Sequence, residues 1–334
     1  MALAGRRRSV SLALTTAQAT GGSGYDRLAG IENLTGSAYA DTLTGNSTAN
    51  VLDGGAGIDT MTGGDGSDDY FVRDVRRRRQ RDQRPARTGG SDHVHSTLAA
   101  YTLRDNVENG RILATGAANL TGNTLNNVLY AGAGNNVLDG GTGTDTVSYA
   151  YGLAGTTGVT VNLAVSTAQA TGGSGSDTLA SIENLIGSAF SDNLTGNAGH
   201  NVLDGGAGND LLTGGVGRDM LTGGSGSDTF DFNALSEMGL TSATWDVIND
   251  FVHGLDRIDL STLDANEGFA GNQAFSAPVV GGTFSGAFAN AGDLYFDNVA
   301  HALRQHRRRH GRGIRHPARR GEHPDRHRSV SLTL

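Results

Sequence analysis

Aspartates recur at a spacing of nine along this sequence, each as the sixth residue of the unit Gly-Gly-x-Gly-x-Asp-x-U-x, in which U is a large apolar residue. The complete units end at Asp26, Asp59, Asp68, Asp145, Asp177, Asp210, Asp219 and Asp228. Degenerate units keep the phase and carry at this position Asp41, Asn50, Asn127, Asn136, Asp192 and Asn201. A short period kept over long stretches predicts a repeat protein in which each unit packs on its neighbours.

Carboxylates at this spacing, beside glycine turns with open backbone carbonyls, have the chemistry of a calcium site. Ca²⁺ takes six to eight oxygen ligands at about 2.3–2.6 Å, whereas Mg²⁺ demands tighter octahedral geometry. We therefore predict Ca²⁺ as the cofactor and calcium ions as the partners of these turns. The predicted aspartate ligands are Asp26, Asp41, Asp59, Asp68, Asp145, Asp177, Asp192, Asp210, Asp219 and Asp228. The predicted turn ligands in the last three units are Gly205, Gly206, Gly208, Gly214, Gly215, Gly217, Gly223, Gly224 and Gly226.

Each unit divides into a six-residue turn and a three-residue strand. Alternate side chains of a strand face opposite sides, so the eighth residue, such as Leu212 or Phe230, can point inward. If the chain reverses at every turn, two units make one coil, and turns i and i+2 stack on the same edge. The sequence thus predicts an all-β fold, a parallel β-roll or β-helix solenoid in several arrays, followed by a small C-terminal β domain.

Stacking of the coils brings like charges together. Neighbouring strands lie about 4.8 Å apart, so carboxylates such as Asp210 and Asp228 come to a similar distance. Two unit charges there repel by about 3 kcal/mol at an effective dielectric of 20. A divalent cation between the turns reverses the sign of this interaction. We predict the strongest sites in the last array, because Asp192, Asp210 and Asp228 form carboxylate pairs there, whereas the middle array has Asn127 opposite Asp145.

Composition excludes several other classes of protein. The chain has 334 residues with 52 glycines, 4 prolines and no cysteine, so it has neither a disulfide framework nor a collagen-like pattern. With no cysteine and only four histidines before residue 300, a zinc site is not expected. No apolar stretch approaches the ~20 residues of a membrane span. The formal net charge is −8.

A longer duplication overlies the short period. Residues 16–24 recur as residues 167–175, and the match continues beyond both. Ala17-Gln-Ala19 imitates a signal-peptide cleavage site, but the same tripeptide recurs in mid-chain, so we predict no N-terminal signal peptide. The duplication divides the chain into a repeat module (1–75), an Arg-rich insertion (76–87), a degenerate repeat module (88–150), a repeat module (151–232), a C-terminal domain (233–300) and an Arg/His-rich disordered tail (301–334).

These units and their phase resemble the nonapeptide repeats of secreted RTX proteins over residues 20–232. Residues 229–297 leave the period of nine, and their Asp-x-Ile-x-Asp-Phe and Gly-x-Asp-x-Ile-Asp-Leu patterns resemble the C-terminal domain of serralysin-type metalloproteases. The resemblance implies Ca²⁺ bound by aspartates and turn carbonyls. It also implies a secreted, extracellular protein exported by a type I secretion apparatus, whose C-terminal export signal the Arg/His tail has replaced.

The sequence contains no recognisable catalytic site, and we predict that this chain is not an enzyme. The ten histidines include no His-Glu-x-x-His zinc helix, and no Gly-x-Ser-x-Gly elbow is present. The leading prediction is a secreted calcium-binding protein. Two alternatives are the C-terminal part of a secreted hydrolase whose catalytic domain is encoded upstream, which the start of the chain in mid-module favours, and a cell-surface adhesin or surface-layer element.

Arginine clusters interrupt the repeats. The 26 basic residues are all arginine, and most lie in residues 6–8, 76–87 and 304–328. Abrupt Arg-rich stretches between well-matched flanks are typical of short reading-frame errors in GC-rich DNA, so we predict no nucleic-acid partner. Residues 76–87 offer neither turn glycines nor alternating apolar residues. We predict a loop there, with separate rolls before and after it.

Overall fold

The computed structural model describes residues 8–20, 24–73, 90–151, 155–234, 236–237 and 246–262, together with the backbone of 279–281, 294–297, 302–307 and 328–333. No helix in these residues is long and apolar enough to cross a membrane. The strands are β1 (Ser9–Ser11), β2 (Gln18–Ala19), β3 (Tyr25–Asp26), β4 (Asn33–Thr35), β5 (Thr42–Thr44), β6 (Val51–Asp53), β7 (Thr60–Thr62), β8 (Asp69–Val72), β9 (His93–Ser96), β10 (Ala100–Thr102), β11 (Asn109–Ile112), β12 (Ala118–Thr121), β13 (Val128–Tyr130), β14 (Asn136–Asp139), β15 (Thr146–Ser148), β16 (Thr160–Asn162), β17 (Gln169–Gly172), β18 (Gly175–Ala180), β19 (Asn184–Ile186), β20 (Asn193–Thr195), β21 (Val202–Asp204), β22 (Leu211–Thr213), β23 (Met220–Thr222), β24 (Thr229–Asp231), β25 (Val247–Ile248), β26 (Arg257–Asp259), β27 (Val279–Gly281), β28 (Leu294–Asp297), β29 (Ala302–Arg307) and β30 (Arg328–Thr333).

The centre of each short strand supplies the core. In β20 to β24 these central residues are Leu194, Leu203, Leu212, Leu221 and Phe230, each fully buried. Complete burial of such a side chain stabilises the fold by about 1.5–3 kcal/mol. The same position is buried in earlier strands at Leu43, Leu52, Met61, Tyr70, Leu129, Leu138, Val147 and Leu185. The inward-facing eighth residue is therefore confirmed.

Strand pairing gives the length of the coil. Val202 of β21 pairs with Met220 of β23, and Leu211 of β22 pairs with Thr229 of β24, in both cases as parallel neighbours 18 residues apart. Two nonapeptides thus form one coil, and each strand stacks on the strand two units later. The predicted all-β parallel roll is confirmed.

The chain forms two compact units, one of residues 1–161 and 165–188, the other of residues 162–164 and 189–334. In the first unit the long parallel ladder runs β4-β6-β8-β9-β11-β13-β15-β19. Two shorter parallel ladders, β1-β5-β7 and β10-β12-β14-β18, are also present in this unit. These alternate in sequence with the long ladder, as a two-sided coil requires.

The long ladder passes across the Arg-rich insertion without a break. β8 pairs in parallel with β9, and Asp69 lies opposite His93, a step of 24 residues instead of 18. The prediction of separate rolls on the two sides of the insertion is therefore wrong for this ladder. The extra length lies between two strands of one edge, so the chain leaves the ladder and rejoins it in register. Residues 76–87 themselves lie outside the described residues.

The second unit contains the ladders β20-β22-β24-β26 and β21-β23-β25. Because β25 and β26 pair with the last repeat strands, the roll extends to Asp259, past the boundary predicted at residue 232. Beyond it, β27 pairs in parallel with β28, which continues through antiparallel β29 and β30. β29 and β30 are strands within the segment 301–334, for which the sequence predicted disorder, and the rest of that segment lies outside the described residues.

Candidate metal sites in the turns

The sixth-position side chains are buried at the turns, just before each strand begins. All of the following are at most 5% exposed: Asp41, Asn50, Asp59, Asp68, Asn127, Asn136, Asp145, Asp177, Asp192, Asn201, Asp210, Asp219 and Asp228. Charged side chains are almost never fully buried unless they are paired. The partners of these carboxylates therefore decide what the turns can do.

One oxygen of each carboxylate is bound by the backbone of the preceding coil. Asp210 Oδ1 accepts the N–H of Asp192 at 2.7 Å, and Asp228 Oδ1 accepts the N–H of Asp210 at 2.9 Å. Asp219 Oδ1 accepts the N–H of Asn201 at 2.8 Å on the alternate turns. The predicted stacking of turns i and i+2 is confirmed by these bonds, since each spans 18 residues.

The second carboxylate oxygen has no donor at several turns. The buried Oδ2 atoms without a hydrogen-bond partner belong to Asp68, Asp92, Asp145, Asp210, Asp219, Asp228 and Asp246. A buried carboxylate oxygen without a partner costs several kcal/mol, because water is lost and nothing replaces it. A cation is the partner that an ionised oxygen of this kind requires. This donor set fits Ca²⁺, which binds carboxylate and carbonyl oxygens.

The first glycine of each turn makes room for this oxygen. A Cβ on Gly214 would lie 2.6 Å from Asp219 Oδ2. A Cβ on Gly205 would meet both Asp210 Oδ2 and the carbonyl oxygen of Gly223 in the next coil. The space beside each first glycine is therefore faced by two converging oxygens, one from a carboxylate and one from a backbone carbonyl, and a side chain would fill it.

The other predicted turn glycines shape the backbone. Those with positive φ are Gly206 (94°), Gly208 (134°), Gly215 (92°), Gly224 (92°) and Gly226 (147°), a conformation that other residues adopt only at a cost. Gly217 does not have positive φ, but its Cβ would collide with the carbonyl oxygen of Gly199.

Burial shifts the titration of these carboxyls. Desolvation, reinforced by neighbouring carboxylates, raises the pKa of Asp210 to about 6 and that of Asp246 to about 8. Burial likewise raises the pKa of Asp219 to about 6, and it raises the pKa values of Asp145 and Asp228. The charged form is thus disfavoured in the folded roll. A bound cation opposes this shift by stabilising the ionised form.

Asp26 and Asp177 lie in a different local structure from the other predicted ligands. Each follows an antiparallel hairpin, β2-β3 or β17-β18, instead of a roll turn. Asp177 Oδ1 accepts the N–H of Asn136 at 2.8 Å, and its Oδ2 accepts the hydroxyl of Thr171 at 3.1 Å. Thr20 donates its hydroxyl to Asp26 in the same way. Both aspartates therefore have a hydroxyl donor in place of an unpaired Oδ2.

Three aspartates after the last repeat complete its coils. Asp246 Oδ1 accepts the N–H of Asp219 at 2.8 Å, and Asp256 Oδ1 accepts the N–H of Asp228 at 3.0 Å. Asp250 binds the N–H groups of Gly223 and Gly224 at 2.9 and 2.7 Å. The sequence signal for them was the Asp-x-Ile-x-Asp-Phe pattern, which has neither the period nor the glycines of the repeat.

Sequence reasoning also missed Asp92, Glu108 and Glu183 in the first unit. Each takes the sixth position of a half-coil whose turn lacks the complete glycine pattern. Glu108 accepts the N–H of Asp92 at 2.9 Å, and Glu183 accepts that of Asp145 at 2.7 Å. The described residues contain no cluster of three or more His, Asp or Glu side chains suited to one metal ion. Any cation here would therefore be held by paired side chains and backbone carbonyls.

Comparison with known families agrees with this geometry. The family described as RTX calcium-binding nonapeptide repeat (4 copies) matches residues 28–61, 44–72 and 115–149. The family described as Peptidase M10 serralysin C terminal matches residues 144–280. That second match includes the last nonapeptide array as well as β25 and β26. None of the curated proteins matches the chain.

Proposed function

Since this chain carries RTX calcium-binding nonapeptide repeats and a serralysin-type C-terminal region, we propose that it is a non-enzymatic secreted protein whose β-rolls fold on binding Ca²⁺ outside the cell. The ions would lie between stacked turns, each beside the Oδ2 of one aspartate and the carbonyl oxygen of the next coil. Neither matching family is a catalytic domain, which supports a binding or structural role.

The unpaired Oδ2 atoms carry this proposal. In the last array Asp210, Asp219 and Asp228 each bury one oxygen without a donor. No cysteine is available to stabilise the roll by other means. Ca²⁺ would supply positive charge and flexible oxygen coordination at these positions, so its binding free energy would become folding free energy.

Calcium titration of the full chain tests the proposal. We expect circular dichroism to show little β structure in excess chelator and a cooperative gain of β structure as Ca²⁺ rises. Mg²⁺ at the same concentration is the matched control and should produce a much smaller change, because it keeps its waters and demands octahedral geometry. Equal β content in chelator and in millimolar Ca²⁺ would contradict the proposal.

Export before folding is part of the same proposal. Extracellular calcium modules bind at about 10⁻⁴–10⁻³ M, far above cytosolic levels, so the chain would stay unfolded until it leaves the cell. Co-expression with a type I secretion apparatus should deliver it to the medium uncleaved at the N-terminus. Chain retained in the cell despite an active apparatus would contradict export by this route.

A second candidate function is the calcium-binding and secretion part of a secreted hydrolase. The match of residues 144–280 to the serralysin C-terminal family favours it. Sequencing of the DNA upstream is the test. An in-frame His-Glu-x-x-His segment there would support the hydrolase, and further repeat modules would instead support a surface protein.

A further inference from the structure

Three half-coils of the first unit turn without the complete glycine pattern. They share the motif Ile/Val-Glu-Asn, at residues 31–33, 107–109 and 182–184. Two residues before each glutamate the backbone adopts positive φ, at Gly30 (63°), Asn106 (63°) and Ser181 (52°). The motif therefore marks a tight turn that replaces the six-residue glycine turn.

The strand register places each glutamate where the repeat has its aspartate. Asn184 pairs with Thr146, so Glu183 lies opposite Asp145 in the stack. The N–H of Asp145 is donated to Glu183 Oε2 at 2.7 Å, which is the contact that a sixth-position carboxylate makes elsewhere. Glu183 thus substitutes for an aspartate in the row.

Two further oxygens converge beside Asp145. This side chain is completely buried, its Oδ1 accepts the N–H of Asn127 at 2.7 Å, and its Oδ2 has no donor. A Cβ on Gly140 would lie 2.5 Å from that Oδ2 and would also meet the carbonyl oxygen of Ser181. At Gly205 the same space is faced by Asp210 and a glycine carbonyl, so Ser181 takes the place of the glycine.

We propose that Asp145 and Glu183, with the carbonyl oxygen of Ser181, form an additional calcium site at a turn that lacks the nonapeptide. The inference rests on the proposed calcium-binding function and deepens it, because it assigns an ion to a motif outside the repeat. Two carboxylates and a carbonyl supply only part of the six to eight oxygens, and further carbonyls or waters complete the shell.

The other two motifs supply a second copy and a control. Glu108 lies opposite Asp92, whose Oδ2 is also buried without a donor, so this pair repeats the arrangement. Glu32 instead lies opposite Asn50, a neutral amide whose Nδ2 donates to the carbonyl oxygen of Glu32 at 3.1 Å. Glu32 has no opposing carboxylate with which to share a cation.

The test compares Glu183→Gln with Glu32→Gln in the full chain. Glutamine keeps an oxygen that can accept the N–H of Asp145 and removes only the charge. Isothermal titration with CaCl₂ should show one fewer bound ion per chain for E183Q, with the calcium-saturated circular dichroism spectrum unchanged. E32Q should bind as many ions as the unmodified chain.

Two outcomes would overturn the inference. Unchanged stoichiometry and affinity in E183Q, with the unmodified chain binding Ca²⁺ normally, would sink this site and leave the proposed function intact. Failure of the unmodified chain to bind Ca²⁺ would instead remove the proposed function itself. Should E183Q not fold, anomalous scattering from crystals of the unmodified chain decides, since an ion between Asp145 and Glu183 supports the site and its absence beside occupied repeat turns refutes it.

Discussion

The same eight residues, Thr-Gly-Gly-Ser-Gly-Ser-Asp-Thr, occur at 171–178 and at 222–229 and adopt two different structures. In the first copy Ala170 pairs with Ser176 and Gly172 with Gly175, so the glycines form the tip of an antiparallel hairpin. In the second copy they form a roll turn before β24. Both copies end with a buried aspartate and an inward residue, Leu179 or Phe230.

The preceding coil explains the difference. At 222–229 the N–H of Ser225 is donated to the carbonyl oxygen of Gly206, and the N–H of Gly208 to that of Ser225, both at 2.9 Å. These bonds require a glycine turn one coil earlier. Residues 163–168 before the first copy contain no glycine, and the chain there pairs with itself. The nonapeptide thus becomes a roll turn only where its neighbours keep the phase.

The largest expected effect separates the two aspartates of this octapeptide. Asp228→Ala should abolish at least one calcium ion per chain, because its Oδ2 is buried without a donor. Asp177→Ala should remove less bound calcium, since Thr171 already donates to its Oδ2, and should destabilise the fold by about 1–3 kcal/mol through unpaired groups. Calorimetric calcium stoichiometry and urea unfolding measure both. Equal loss of calcium in the two variants would erase the distinction.

A smaller effect is expected from the first glycine of the roll turn. A Cβ on Gly223 would overlap the Oδ2 of Asp228, so Gly223→Ala should destabilise the calcium-bound protein by about 1–3 kcal/mol through overpacking. Gly116→Ala is the matched control, because a Cβ there meets nothing within 4 Å. Urea midpoints at saturating Ca²⁺ compare the two. Similar midpoints would mean that the carboxylate does not face this glycine in the bound state.

The smallest effect is a pH dependence that both copies share. The pKa of Asp177 and that of Asp210 are each raised to about 6, mainly by burial, from about 3.8 in the unfolded chain. The folded state therefore binds protons more tightly, and its stability without calcium falls as pH rises from about 4 through 6. Thermal unfolding in chelator should occur at a higher temperature at pH 5 than at pH 8. The reverse order would show that these carboxyls are solvated.

Local pattern sufficed to predict the strands and most of the row of ligands. The inward position of Leu212 and the stacking of Asp192, Asp210 and Asp228 follow directly from a period of nine and the alternation of a strand. Glu183 could not be predicted from the repeat, because only strand register shows that it lies opposite Asp145 after a step of 38 residues.

Long-range pairing also explains the other differences. The hairpin at Asp177 has the repeat motif without the repeat environment, so no reading of the eight residues alone could distinguish it. The ladder that rejoins at β9 depends on a tertiary choice, namely that Asp69 pairs with His93 and not with a residue 18 positions later. Asp246 and Asp256 were visible as acidic residues, but their role as caps follows from the coils that they complete.

The direction of the aspartate-to-amide bonds imposes an order of assembly. In the described arrays each Oδ1 binds the amide of the preceding coil, so a coil is completed only by the residues that follow it. The last two repeat amides, those of Asp219 and Asp228, are bound by Asp246 and Asp256, outside the nonapeptides. The segment after the repeats therefore acts as the template from which the roll grows, and growth proceeds from the C-terminal end toward the N-terminus.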